Sequence, residues 1–286
     1  MTGPTLDARA VALLSCPVCR APFAVVDGGA GLACASGHRV DRARQGHLTL
    51  LPAGRRPPTG DSAEMVADRV AFLSAGHYDP LTAALRDAVA GDGPAPQTLV
   101  DLGGGTGHHL AALLDALPDA VGLVLDASRY AARRAARAHP RAVAVVADAW
   151  SRLPLLDEVA DRVLVVFAPR NGAEIARVLR PGGRLVVATP APDHLAEVVG
   201  PLGLLRVDPD KAERLAATLG PHLQPVRSTA HRWTASLDRS AVATLVGMGP
   251  HARHLPAGAL AASLERFPAR LEVTVSVDVA TYAPAG

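Results

Sequence analysis

Four residues near the N-terminus have the types and spacing of a metal site. Cys16 and Cys19 are two residues apart, Cys34 and His38 three, and fourteen residues lie between the pairs. Three thiolates and an imidazole are a common tetrahedral set for zinc. The short first spacing lets one tight turn present two thiolates to the same ion, and Gly37 frees the backbone just before His38. The chain has three cysteines, which cannot all pair with one another, so metal is favoured over crosslinks. Four protein ligands leave no open position for water, which makes the zinc structural. Phe23–Val26 and Gly31–Ala33 read as strands joined at Asp27-Gly28-Gly29. So small a segment needs the metal to hold its shape. The alternative is reduced, buried thiols beside a surface histidine.

A second constellation is spread over a longer stretch. Asp101 opens the pattern D-x-G-x-G-x-G with Gly103, Gly105 and Gly107. Glycines there let the backbone approach a ligand closely. Asp126 ends the next apolar run and Asp148 the one after. A carboxylate at the first of these positions can accept from both ribose hydroxyls, and one at the second from an adenine amino group. A glycine-rich turn also serves NAD enzymes. S-adenosylmethionine (SAM) carries no pyrophosphate but does carry an ammonium, which suits Asp101, so SAM is the expected cofactor. Taken singly, Asp126 or Asp148 would be a loop carboxylate or helix cap. Their placement after successive strands favours the cofactor reading.

The elements that must position these residues alternate strand and helix from Thr98 onward, the pattern of an α/β, doubly wound, Rossmann-like sheet. Strands are expected at Thr98–Leu102, Gly122–Asp126, Ala142–Ala147, Arg162–Phe167 and Arg184–Thr189, with Arg180-Pro181-Gly182-Gly183 turning into the last. Ligands in such sheets bind at the carboxyl ends of the strands. Trp233–Leu237 and Leu271–Val279 read as closing strands around a helix from Ser240 to Met248. Three regions are expected: a zinc knuckle over 1–51, a helical linker over 52–96, and a SAM-dependent methyltransferase domain over 97–286. In the linker, Asp61 or Ser62 can cap a first helix, and a second opens after His77-Tyr78-Asp79-Pro80.

Charge is unevenly placed. Residues 1–60 hold seven Arg against three Asp, with no Lys or Glu, while the whole chain carries +2. A basic arm on a near-neutral body fits an anionic partner. Arg42, Arg44, Arg55 and Arg56 form its cluster, and guanidinium forks match phosphate oxygens. No apolar run approaches the ~20 residues of a membrane helix, and a secretion signal is not expected at the N-terminus. The expectation is a soluble, cytoplasmic protein.

These motifs together resemble the bacterial 23S rRNA (guanine-N1)-methyltransferases of the RlmA type. The resemblance runs over the knuckle, G-H-L-T-L-L-P (46–52), G-D-S-A-E-M (60–65), A-G-H-Y (75–78), A-P-R (168–170), R-P-G-G (180–183) and T-P-x-x-D-H-L (189–195). D-L-G-G-G-T-G-H-H-L (101–110) is closer to the tylosin-resistance branch of actinomycete antibiotic producers. The resemblance implies methylation of a guanine in a hairpin loop lining the peptide exit tunnel, with 23S rRNA as partner, and it makes a homodimer plausible. By motif, Tyr78, His109, Leu110 and His194 would lie near SAM, though His194 reads equally as a helix-start surface residue. Phe167 could stack on an extruded guanine or be a core aromatic, and Arg170 could hold phosphate or guanine O6. No residue announces itself as the base that removes the N1 proton. The competing functions are a small-molecule methyltransferase of a biosynthetic pathway and a non-catalytic RNA-binding protein. The knuckle argues against the first and the intact carboxylate set against the second.

Overall fold

The apolar runs of the second half become strands buried on both faces. The computed structural model describes residues 6–51, 60–204, 211–249 and 259–285. Parallel strands β5 (Thr98–Leu102), β6 (Val121–Asp126), β7 (Ala142–Val146), β8 (Ala160–Val166) and β9 (Leu179–Pro190) form the centre of an eight-stranded sheet. The sheet closes on one side with antiparallel β11 (Arg270–Pro284) and β10 (Leu223–Asp238). Both closing strands outrun the expected Trp233–Leu237 and Leu271–Val279, because each pairs along nearly its whole length with the other. Arg180–Gly183 does not precede β9 but bulges from it. One residue of β8 faces four of β9 between the pairs Ala160–Leu179 and Arg162–Arg184.

Alternate residues of these strands feed two cores. On one face Val100, Leu123, Val145, Val163 and Leu185 meet α6 (Gly172–Val178) and the N-terminal segment. On the other, Leu99, Val124, Leu164 and Val186 meet helices α2 (Ala63–Ser74), α3 (Asp79–Ala90), α4 (His108–Ala116), α5 (Arg129–Ala135) and α7 (Arg239–Gly247).

The N-terminal segment is not a separate bead. Its three-stranded sheet, β1 (Phe23–Val26), β2 (Gly31–Cys34) and β3 (Arg39–Asp41), is antiparallel, with the hairpin where the sequence placed it. The short helix α1 (Ala8–Val11) buries Ala10 and Val11 in the same core as Leu123 and Val145. Strand β4 (Leu48–Thr49) pairs with β7 and forms the other edge of the large sheet. Packing crosses the breaks expected near 51 and 96. Leu48 and Leu50 are buried on the sheet, and Phe72, Tyr78, Leu81 and Leu85 of the expected linker sit in the second core. Ser62 caps α2, its hydroxyl accepting from the Met65 amide at 3.2 Å.

Candidate cofactor and zinc sites

The ligand atoms of Cys16, Cys19, Cys34 and His38 all lie within 4.8 Å of one another. Cys19 Sγ is 3.5 Å from Cys34 Sγ, which is 3.4 Å from His38 Nδ1. A tetrahedron with Zn–S near 2.3 Å puts neighbouring ligands ~3.7 Å apart, so the four positions fit that ion. The Ser36 hydroxyl and then the Ala21 amide draw the Cys19 thiol down to about 6, while burial pushes Cys16 up.

At the carboxyl ends of the strands, β5 delivers Asp101, which is 1% exposed. Its Oδ1 is buried with no hydrogen-bond partner. Burial, with the Asp126 charge added, raises its pKa to about 7. Native folds rarely leave such an atom unpaired, and the ammonium of SAM is a donor of the right charge. The turn beyond Asp101 depends on glycine. Gly103, Gly105 and Gly107 have φ of +72°, +56° and +74°, which side chains resist. A Cβ on Gly103 would also overlap Ala168, and one on Gly104 would sit 2.5 Å from the Asp101 carboxyl. The turn is therefore a backbone cradle around that carboxylate.

Asp126 ends β6 with both oxygens engaged. Oδ2 accepts from the Gly105 amide at 2.9 Å and Oδ1 from the Ser128 amide at 2.7 Å. Burial raises its pKa and these amides oppose the rise. It keeps lone pairs for ribose hydroxyls. Asp148 lies two residues beyond Val146, the register partner of Asp126. It accepts from the Trp150 amide at 2.9 Å and the Ser151 hydroxyl at 2.7 Å, so it also shapes its own turn. Two residues missed in the sequence stand over this edge. Arg69 of α2 pairs with Asp61 and donates to the Met248 carbonyl at 2.8 Å. The Ser128 hydroxyl donates to the Asp61 carbonyl at 2.7 Å. Asp61, which both contact, lies in the motif at 60–65, but that motif reads first as a helix cap.

The remaining expected residues divide. Tyr78, His194 and Phe167 come together, with ring centroids 5.7 Å apart for Phe167–His194 and 6.3 Å for Tyr78–Phe167. Trp233 closes on Tyr78 at 6.1 Å, a contact not legible in the sequence. His194 Nδ1 lies 2.9 Å from the Ser276 carbonyl and 3.3 Å from the Ser276 amide, and the shorter contact favours a proton on that nitrogen. Nε2 then accepts from the Tyr78 hydroxyl at 3.4 Å. Phe167 is not a core aromatic. It is 42% exposed at the end of β8 with φ +52°, a backbone state that costs roughly 1 kcal/mol or more. His109 bonds Thr82 Oγ1 at 2.9 Å, and burial beside His108 lowers it to about 3, so it is neutral.

Leu110 stands in the first turn of α4, just after the glycine turn, while Arg170 is placed apart from the ring cluster. The Leu110 side chain fills the space over Gly122 in the core. Arg170 faces Tyr282, which pairs with Leu185 and packs on the first face, away from Tyr78. In the arm, Arg42 donates to the Gly46 carbonyl at 3.1 Å and braces its own turn, while Arg44 is exposed. Arg55 and Arg56 lie outside the described residues.

A buried acidic edge, a glycine cradle and a Cys3His cluster define a SAM-dependent methyltransferase joined to a zinc ribbon. Comparison with known proteins agrees. Residues 14–56 match the zinc-ribbon model described as RlmA, N-terminal, and residues 99–183 match a methyltransferase domain. The chain is 50% identical over 279 residues to the 23S rRNA (guanine(748)-N(1))-methyltransferase of Streptomyces fradiae, covering 96% of this chain and 98% of the relative. It is also 50% identical over 287 residues to a Micromonospora griseorubida protein described as a 23S rRNA (guanine-N1)-methyltransferase, covering 95% and 97%. A Bacillus subtilis relative described in the same terms, YxjB, is 29% identical over 281 residues, covering 93% and 95%. The chain belongs to the 23S rRNA (guanine-N1)-methyltransferase family.

Proposed function

We propose that this protein transfers the methyl group of SAM to N1 of a guanine in a 23S rRNA hairpin loop, in the cytoplasm, and that the product protects the exit tunnel against tylosin-type macrolides. The observation that carries the methyl-transfer reading is the unpartnered, buried Asp101 oxygen inside a glycine cradle beside Asp126. The family relationship at 50% identity supports the rRNA substrate.

When bound, SAM supplies an electrophilic methyl on sulfur. Asp101 holds the ammonium, Asp126 the ribose, and Asp148 the adenine edge. The protein's main task is then alignment. Phe167, exposed and held in a strained backbone, offers its ring to an extruded guanine. His194 lies against that ring with Nε2 as the acceptor nitrogen. The Tyr78 contact at 3.4 Å is long enough to yield, so His194 takes the N1 proton. Zinc braces the ribbon that carries Arg42 and Arg44. No described helix is long and apolar enough to cross a membrane.

The test is transfer of labelled methyl to a short 23S hairpin RNA, with the position read by reverse-transcription stops. Label confined to one loop guanine is expected. Label found only in small molecules, or nowhere, overturns the reading. Asp126→Ala should abolish transfer by weakening SAM binding, seen by calorimetry.

A further inference from the structure

The charge distribution points to a second RNA contact surface, on the helix that follows Asp126. Residues 127–147 hold five arginines and no Asp or Glu. One of the five is structural: Arg141 donates to the carbonyls of Leu117 and Leu114, fastening the end of α4. The other four, Arg129, Arg133, Arg134 and Arg137, follow α5 and its closing turn. At 3.6 residues per turn they fall with Tyr130 in one arc of roughly 140°. Ala131, Ala132, Ala135 and Ala136 occupy the buried side.

This face is electrostatically unbalanced within the protein. Arg129 and Arg133 both lie over the Tyr130 ring, at 5.0 and 5.4 Å. Arg134 and Arg137 are exposed and have no ion pair or side-chain hydrogen bond among the described residues. Like charges at i, i+4 destabilise a helix, and Arg129 stands at the end where the helix dipole disfavours a cation. Arg134 and Arg137 instead line a cavity of about 300 Å³ with Thr106 and His108 at the start of α4. The arm continues the surface. Gly46 packs so closely on Ala136 that an added Cβ would lie 3.3 Å away, which brings the 42–46 turn and exposed Arg44 alongside α5.

We propose that the outward face of α5, with Arg44 beside it, docks the sugar-phosphate backbone of the substrate RNA, and that the cavity under Arg134 and Arg137 seats a phosphate. The proposal rests on the rRNA reading above and assigns it a surface. Guanidinium forks pair with phosphate oxygens, and a tyrosine between arginines can take a base. The face lacks the exposed apolar side chains that a membrane surface or a protein interface core requires.

The experiment compares the full-length protein with Arg134→Gln/Arg137→Gln and with an off-surface control, Arg86→Gln/Arg266→Gln. Glutamine keeps helix propensity close to that of arginine. Binding of the 23S hairpin RNA is measured from low to high salt. Losing two phosphate contacts lowers the slope of log K against log salt by ~1.5 units and weakens binding about tenfold near physiological salt. SAM affinity and Tm should match the parent, and the control should keep the parent slope. An unchanged slope while the parent binds and methylates the hairpin sinks the surface alone. A parent that neither binds nor methylates it sinks the rRNA reading as well. An equal slope change in the control shows total charge rather than this face to be responsible. Lost binding to anionic phospholipid vesicles with RNA binding intact assigns the face to a membrane and overturns the proposal.

Discussion

Binding of a cationic amine at Asp101 should depend on pH, because burial raises the pKa of its carboxyl. The carboxyl has a pKa of about 7, raised by burial first and by the Asp126 charge second. An ordinary Asp titrates near 3.9. Only the ionised form attracts an ammonium, so binding at lower pH must first expel a proton. Affinity then falls by 1 + 10^(pKa − pH), about 30-fold at pH 5.5 and about 2-fold at pH 7, a span of roughly 1.6 kcal/mol. Calorimetry with S-adenosylhomocysteine, repeated in buffers of different ionisation heat, should show this steepening with release of one proton at the acid end. Stability of the ligand-free protein runs the other way. With the folded pKa above the unfolded one, the stabilising effect of protonation is full below about pH 4 and is lost as pH rises through about 7. Three pH units bound the cost of the buried charge at about 4 kcal/mol. Asp101→Asn should therefore raise Tm at about pH 8 while weakening the ligand and flattening its pH profile. A flat profile in the parent, or unchanged affinity in the variant, would refute the reasoning.

Chelation or Cys34→Ser should release about one equivalent of zinc. Hydrogen exchange should then speed up at Leu50, whose amide donates to the Val146 carbonyl at 3.0 Å, because the ribbon carries β4 to the sheet edge. Phe167→Ala should cost about 1–3 kcal/mol of transition-state stabilisation on hairpin RNA through lost stacking, with SAM affinity unchanged. Phe167→Tyr should recover most of the rate. Leu48, fully buried on the large sheet, should lose about 2–5 kcal/mol on truncation to alanine, measured by urea unfolding. A much smaller loss would mean the ribbon docks loosely.

The zinc cluster and the edge carrying Asp101 and Asp126 were legible because their spacing is local or tied to strand ends. Cys16-x2-Cys19 needs one turn, and each carboxylate simply follows an apolar run. Where a strand met a partner far along the chain, its length was not legible. β10 looked like five residues because its outer face is exposed and polar, and only pairing with β11 extends it. The strand at 48–49 was not legible for a related reason. Leu48-Thr49-Leu50 is too short to announce a strand, yet the free edge of β7 was available to take it. Phe167 shows the opposite case. An aromatic ending an apolar strand is more often core, and here a positive φ turns it outward. That is a backbone fact with no sequence signal at a non-glycine residue.

Arginine was the least legible residue type, and the reason bears on function. Counting charge over residues 1–60 found a basic arm, but it treated every guanidinium as available. In the structure Arg42 braces its own turn. Arg141 fastens α4, Arg162 donates to the Val89 carbonyl at 2.8 Å, and Arg177 bridges Glu174 and Asp157. All are as cationic as Arg134 and Arg137, yet their donors are committed to this fold. Available charge therefore also stands on the outer side of α5, where Arg134 and Arg137 meet no acceptor among the described residues. An rRNA enzyme that must grip a polyanion beside an acidic cofactor edge gains from cations on the adjoining helix. Asp101, Asp126 and Asp148 would repel phosphate, and cations on the neighbouring helix can hold the backbone without neutralising the carboxylates that SAM needs.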